Sequence, residues 1–264
     1  MTLIDEAAFP VEIPYIETYE DICLHREKYL SEYLNYADAR SRVILDALLL
    51  YRLTLDSTCV QGHFEPESEQ YFDRDLARMS RSEVFVDAGG FDGATTLNFM
   101  QRVGGDYSRV YYFEPDPALM TRSRQAMAAK PNVVYCEAGA YSRDGTVTFN
   151  TTGTTNGAIS DAAGATGDLT ISVRRIDGLL TEPASFIKMD IEGAEFEALK
   201  GAREQIARNA PLLAIAAYHK GEDLWRLGEL IRDLNPNYRL GLRHYTEGGL
   251  ESVLYAYRAD DRAS

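Results

Sequence analysis

The chain has 264 residues and carries 41 Asp and Glu against 27 Lys and Arg, a formal net charge of −14. Such a balance offers no broad basic surface to neutralise phosphates, which argues against DNA or RNA as a partner. Cys23, Cys59 and Cys136 are too scattered for a disulfide framework or a zinc site, the N-terminus lacks an export-signal pattern, and no run approaches the ~20 apolar residues of a membrane span, so a reducing cytoplasmic setting is expected.

Taken in chain order, Tyr19 to Leu55 carries apolar residues at helical spacing, among them Ile44, Ala47, Leu48, Tyr51 and Leu55. A polar connector from Ser57 to Ser68 follows, and a short helical segment is predicted over Phe72 to Met79. We place a boundary near residue 80. Residues 1–80 form a helical N-terminal extension, expected to cover the cleft or to mediate homodimerisation, and 81–264 form the main domain.

Beyond that boundary, β-branched and aromatic runs alternate with helical stretches, the pattern of a mostly parallel α/β sheet. The predicted strands are Val84 to Val86, Val110 to Phe113, Val133 to Cys136, Phe186 to Met189 and Leu212 to Tyr218. Helices are predicted at Thr95 to Val103, Pro117 to Ala129 and Ala194 to Arg208. Thr146 to Asn150 and Leu169 to Val173 read as a strand pair around a mobile loop, Thr151 to Gly167. The last two strands, Tyr238 to Leu242 and Val253 to Tyr257, read as a closing antiparallel pair.

The first strand runs into Asp87-Ala88-Gly89-Gly90-Phe91-Asp92-Gly93 and then a helix opening near Thr95, a strand–turn–helix context that suits a nucleotide-like ligand. Ala88 stands where a dinucleotide fingerprint has its first glycine, and Asp87 and Asp92 repel a pyrophosphate while attracting a cationic ligand. This disfavours a nicotinamide-dependent oxidoreductase. Glu114, at the end of the second strand, is placed to accept both ribose hydroxyls, whereas Asp116 before Pro117 reads as a helix cap.

The glycine turn resembles the first cofactor motif of class I methyltransferases, and Ile187-Lys188-Met189-Asp190-Ile191-Glu192-Gly193-Ala194-Glu195 resembles the signature of the FkbM family. The resemblance spans about residues 83–257. It implies a Rossmann-like class I methyltransferase fold with S-adenosylmethionine as donor and S-adenosylhomocysteine as product. It also implies O-methylation of a sugar hydroxyl in a glycan, nucleotide-sugar or glycosylated metabolite, as in polysaccharide biosynthesis. A non-catalytic module that keeps the fold is the further alternative, opposed by intact Asp87, Glu114 and Asp190.

The expected cofactor site comprises Asp87, Gly89, Gly90, Asp92, Gly93, Thr95, Glu114 and Asp190, with Glu137 and Ala138 beside the adenine. Asp190, at the end of the central strand, is the first candidate for the active-site carboxylate. Glu192 shares its pocket, and the pair would hold a divalent cation if one is used. Glu195 reads as a helix N-terminal acid favoured by the dipole. His219 is a candidate general base, while Arg243 and His244 are candidate acceptor contacts, Arg243 through a phosphate or carboxylate.

Overall fold

The computed structural model describes residues 15–150, 158–160 and 169–259. Helices α1 (Tyr15–Leu24), α2 (Arg26–Asn35) and α3 (Ala39–Thr54) come first, then β1 (Val84–Ala88), α4 (Ala94–Arg102), β2 (Arg109–Phe113), α5 (Pro117–Ala126) and β3 (Val133–Cys136). Next are β4 (Gly139–Ala140), β5 (Gly145–Asn150), β6 (Ala158–Ser160), β7 (Leu169–Arg174) and α6 (Ile176–Leu179). The chain continues through β8 (Phe186–Met189), α7 (Glu195–Gly201), α8 (Arg203–Asn209), β9 (Leu212–Ala216), α9 (Asp223–Leu234), β10 (Tyr238–His244) and β11 (Ser252–Arg258).

Seven strands form the main sheet in the order β10-β11-β9-β8-β1-β2-β3. β11 runs antiparallel to both neighbours and the rest of the ladder from β9 to β3 is parallel, as the strand patterns suggested. Successive strand residues point to opposite faces, so each strand feeds two cores. Val86, Tyr111, Ile187 and Leu213 join one of them, and Phe85, Tyr112, Phe186 and Ala214 the other. Strand order reverses between β1 and β8, and a crevice at such a reversal, beyond the carboxyl ends of the strands, is where open α/β sheets bind ligands.

The N-terminal helices are part of this body. Ile44, Leu45 and Leu48 of α3 lie in the same core as Val86, while Phe72 and Leu76 lie in the core with Phe85. Ala37 N–H donates to the Leu240 carbonyl (2.9 Å) and Leu242 N–H to Ser41 Oγ (2.9 Å). Residue 80 therefore separates segments of the chain without separating cores.

Three local expectations are corrected. Phe72 to Met79 forms no helix; it is a single turn in which Asp73 accepts from Asp75 and Leu76 N–H (both 3.0 Å), with Asp73 itself anchored on Arg243. Ala194 to Arg208 divides into α7 and α8, because Asp177 caps a new first turn through Glu204 N–H (2.9 Å) and Gln205 N–H (3.0 Å). Within the supposed loop Thr151 to Gly167, Ala158–Ser160 pairs with β5 in a second sheet, β4-β7-β5-β6; the rest of that loop lies outside the described residues. α9 also went unread, although Leu224, Leu227 and Ile231 recur at helical spacing on its buried face. Among the described residues no helix is long and apolar enough to cross a membrane.

Candidate active site

The turn after β1 is built around a buried charge pair. Asp87 is fully buried, accepts from Thr96 Oγ1 (2.6 Å) and lies 3.0 Å from Lys188 Nζ, which also donates to the Gly89 carbonyl (2.7 Å). A carboxylate taken out of water needs such a partner. The negative charge of Asp87 is thus matched by Lys188 within the protein. The threonine that bonds Asp87 is Thr96, while Thr95 beside it is half-buried.

Close packing explains the two adjacent glycines. At Gly89 (φ +80) a Cβ would sit 1.8 Å from the Asp190 carbonyl oxygen, and at Gly90 it would sit 2.1 Å from the Tyr112 ring. The backbone approaches that these glycines permit are to the protein itself, and they bring the β1 and β8 strand ends together: Asp190 N–H donates to the Ala88 carbonyl (3.0 Å). Gly93 (φ +88) precedes α4, whose first turn is capped by exposed Asp92 through Ala94 N–H (3.0 Å).

Glu114, at the end of β2, receives Phe91 N–H (2.9 Å) and Asp116 N–H (2.8 Å), and burial raises its pKa above the usual carboxylate value. Asp116 caps α5 through Ala118 and Leu119 N–H (2.7 and 3.0 Å), as expected. Phe91 beside them leaves 63% of its surface exposed at the rim. Past β3, Glu137 is exposed and Ala138 buried. They line a cavity of about 430 Å³ with Tyr135, Asp144, Arg174 and Leu179, whose walls do not include Asp190.

At the end of β8 the structure gathers a cluster the sequence only partly disclosed. Tyr71 Oη donates to Asp190 Oδ2 (2.7 Å) and Tyr218 Oη to Asp190 Oδ1 (3.1 Å). His219 is 7% exposed at its side chain, with Nε2 3.4 Å from Asp190 Oδ1 and 3.6 Å from Glu192 Oε2, and Nδ1 3.0 Å from Glu195 Oε1. Burial alone pulls the imidazole pKa down. The Glu195 carboxylate 3.0 Å from Nδ1, with the charges of Asp190 and Glu192, outweighs that and raises it to about 9. Glu192 is largely exposed, with its own pKa raised by burial of its inner part and by Asp190.

Glu195 is more than a helix-terminal acid. It is fully buried, and Oε1 accepts from Ile191 N–H (2.9 Å) while facing His219. Its signal was the spacing to Asp190 within one signature; its partner, 24 positions on, was invisible as such. Asp190, Glu195 and His219 are the described residues close enough to be considered together as cation ligands. One ligand atom from each of the three lies within 4.8 Å of the others, with Nδ1 of the imidazole on the Glu195 side and Nε2 on the Asp190 side.

Arg243 and His244 are corrected as acceptor contacts. Arg243 is 2% exposed and held by Asp38 (3.3 Å) and Asp73 (3.3 Å), which commits its guanidinium to pinning the N-terminal segments. His244 is buried between Ser252 Oγ (2.9 Å) and the Gly248 carbonyl (2.7 Å), and burial lowers its pKa. Lys188, Tyr71 and Tyr218 were missed because each acts through a partner distant in sequence, whereas Thr96 meets Asp87 nine positions back, across the turn.

A family model described as the Methyltransferase FkbM domain matches residues 87–240. Among solved structures, Methyltransferase FkbM from Methylobacillus flagellatus KT is similar with a TM-score of 0.78 and 30% identity, covering 90% of this chain and 60% of that one. This chain therefore spans less than two thirds of that relative. An rRNA methylase from Streptococcus thermophilus (TM-score 0.46, 14% identity, 71% of this chain and 92% of that one) is too distant to bear on function. The same holds for Aeropyrum pernix fibrillarin in complex with S-adenosyl-L-methionine (TM-score 0.43, 13% identity, 69% and 70%). Among curated proteins no match was found.

Proposed function

The chain belongs to the FkbM methyltransferase family, and on that premise we propose that it is an S-adenosylmethionine-dependent O-methyltransferase that methylates a sugar hydroxyl of a glycan, nucleotide-sugar or glycosylated metabolite. The observation that carries the reading is the Glu195–His219–Asp190 array, which meets the glycine turn at the Gly89–Asp190 backbone contact. The residues present fit the cofactor: Glu114 keeps lone pairs for ribose hydroxyls at the mouth of the turn, and Asp92, Glu114 and Asp190 supply negative potential for a cation. Gly89, Gly90 and Gly93 shape the turn, and Glu137 and Ala138, which line the cavity past β3, would hold the adenine.

When bound, the cofactor supplies an activated methyl group on a sulfonium. The chain's own task is to align the acceptor oxygen and to take its proton. Asp190 orients the acceptor hydroxyl. Glu195 fixes the His219 ring through Nδ1, which leaves Nε2 on the Asp190 side to receive the proton. A pKa of about 9 makes neutral His219 a stronger base than an ordinary imidazole, at the cost of a small neutral fraction near pH 7. In this reading the acceptor's proton leaves through His219 and no divalent cation is required; loss of activity on adding a chelator, restored by Mg²⁺ or Mn²⁺, would refute that part.

The three cysteines are free, which supports a reducing, cytoplasmic setting. Calorimetry with S-adenosylhomocysteine and with NAD tests the donor. Binding of NAD without S-adenosylhomocysteine sinks the proposal, while radiolabelled methyl transfer across a panel of glycans, nucleotide-sugars and glycosides tests the acceptor class.

A further inference from the structure

The segment 66–79 joins the N-terminal helices to β1, and nothing in its sequence marks it as part of a site. Yet Tyr71 from this segment stands between the two charged centres described above. It holds a left-handed backbone (φ 66) and is 5% exposed. Its hydroxyl donates to Asp190 Oδ2 at 2.7 Å, and Lys188 Nζ lies 5.1 Å from the centre of its ring. Lys188 in turn holds Asp87 and the Gly89 carbonyl. Gln70, the preceding residue, bonds Glu251, which also engages Tyr218.

A phenylalanine would fill the apolar surroundings of Tyr71 equally well, so packing alone does not call for the hydroxyl. What the hydroxyl does is occupy one oxygen of Asp190 while Tyr218 occupies the other. With both oxygens held, the carboxylate has one orientation, facing His219. The ring meanwhile presents its negative face to a desolvated ammonium, a favourable cation–π contact.

We propose that Tyr71 is a positioning residue: its hydroxyl fixes Asp190 toward His219 and the acceptor, and its ring braces Lys188 beneath the glycine turn. The segment before β1 is thereby part of the active site, although it precedes the matched stretch 87–240. The meaning of this coupling for methyl transfer rests on the function proposed above; the coupling itself is measurable without any acceptor.

The test reads the titration of the His219 imidazole by NMR, in buffer kept free of divalent cations by a chelator, together with S-adenosylhomocysteine affinity. His219 is faced by Asp190 and Glu192 from the β8 turn, Glu195 from α7, Asp223 from α9, Glu251 before β11, and its neighbours Tyr218 and Lys220. In Tyr71→Phe the ring stays, so the affinity should remain within about twofold of wild type. The His219 midpoint should rise by roughly half a pH unit, because the freed Asp190 oxygen places more charge on the imidazolium. A tyrosine that merely packs would lower the melting temperature and leave this midpoint alone, so an unmoved midpoint in folded Y71F overturns the hydroxyl's role.

Tyr71→Leu also removes the ring, and affinity should then fall at least about fivefold; wild-type affinity in Y71L overturns the bracing role. If either variant fails to fold, Asp190→Asn attacks the same link from the other side, since an amide no longer supplies the charge that the two tyrosines orient. The His219 midpoint should drop in D190N, and an unchanged value overturns the proposal. Wild-type protein that does not bind S-adenosylhomocysteine removes the methyltransferase reading alone, with the Tyr71–His219 coupling still decided by the titrations.

Discussion

Glu195→Gln is nearly isosteric and keeps an oxygen for Ile191 N–H, so it removes charge with little change of shape. His219 is displaced from the usual 6.5 to about 9, equivalent to roughly 3 kcal/mol favouring the imidazolium. Glu195 is the foremost contributor to that rise, at 3.0 Å, with Asp190 at 3.4 Å and Glu192 at 3.6 Å behind it. We expect the variant's midpoint to fall by roughly 1–2 pH units. The pH–rate profile for S-adenosylhomocysteine formation, scanned from about pH 6 to pH 10, should show its inflection near 9 in wild type and move down with the midpoint in E195Q. The high-pH plateau should drop by about 10- to 100-fold, since a weaker and less well-oriented base remains. Stability must move with the same proton. His219 is raised, so its contribution is fully present below about pH 6.5 and is lost as pH rises through about 9. The melting-temperature gap between wild type and E195Q should therefore be widest near pH 6 and close toward pH 10. A rate inflection that stays near 9 in a folded variant refutes the assignment of His219 as base positioned by Glu195.

Lys188→Met leaves Asp87 buried without its cation and should cost about 3–5 kcal/mol in urea unfolding at neutral pH; a loss under 1 kcal/mol would show the pair to be dispensable. Gly89→Ala places a Cβ 1.8 Å from the Asp190 carbonyl at a φ of +80, so S-adenosylhomocysteine affinity by calorimetry should fall by more than about tenfold. A chain starting at residue 80 loses Ile44, Leu45, Leu48, Phe72 and Leu76 from both cores, and circular dichroism should show no cooperative unfolding; a cooperative melt with wild-type affinity would instead make residues 1–79 a separable accessory.

Much of the fold was legible because local chemistry wrote it. The runs at Val84, Val110, Val133, Phe186 and Leu212 all became strands of the main sheet, and Asp116-Pro117 opened α5 as a cap followed by proline does. Phe72 to Met79 misled because its apolar residues serve a turn tied down by Asp73 and Arg243, a partner 170 positions later. Ala194 to Arg208 misled because a cap from Asp177 interrupts it. In each case a contact distant in sequence overrode a periodicity that was real.

The active site divides in the same way. By itself the sequence determined the family signature, the glycine turn, and Asp190 and His219 as the groups to examine, because these lie in short stretches whose chemistry depends on neighbours in the chain. Only the tertiary structure decided what each charge does. It spends Asp87 on Lys188, turns Glu195 inward to His219, commits Arg243 to Asp38 and Asp73, and brings Tyr71 onto Asp190. The physical reason is that a charge acquires its role from the partner it meets on leaving water, and folding alone assigns that partner.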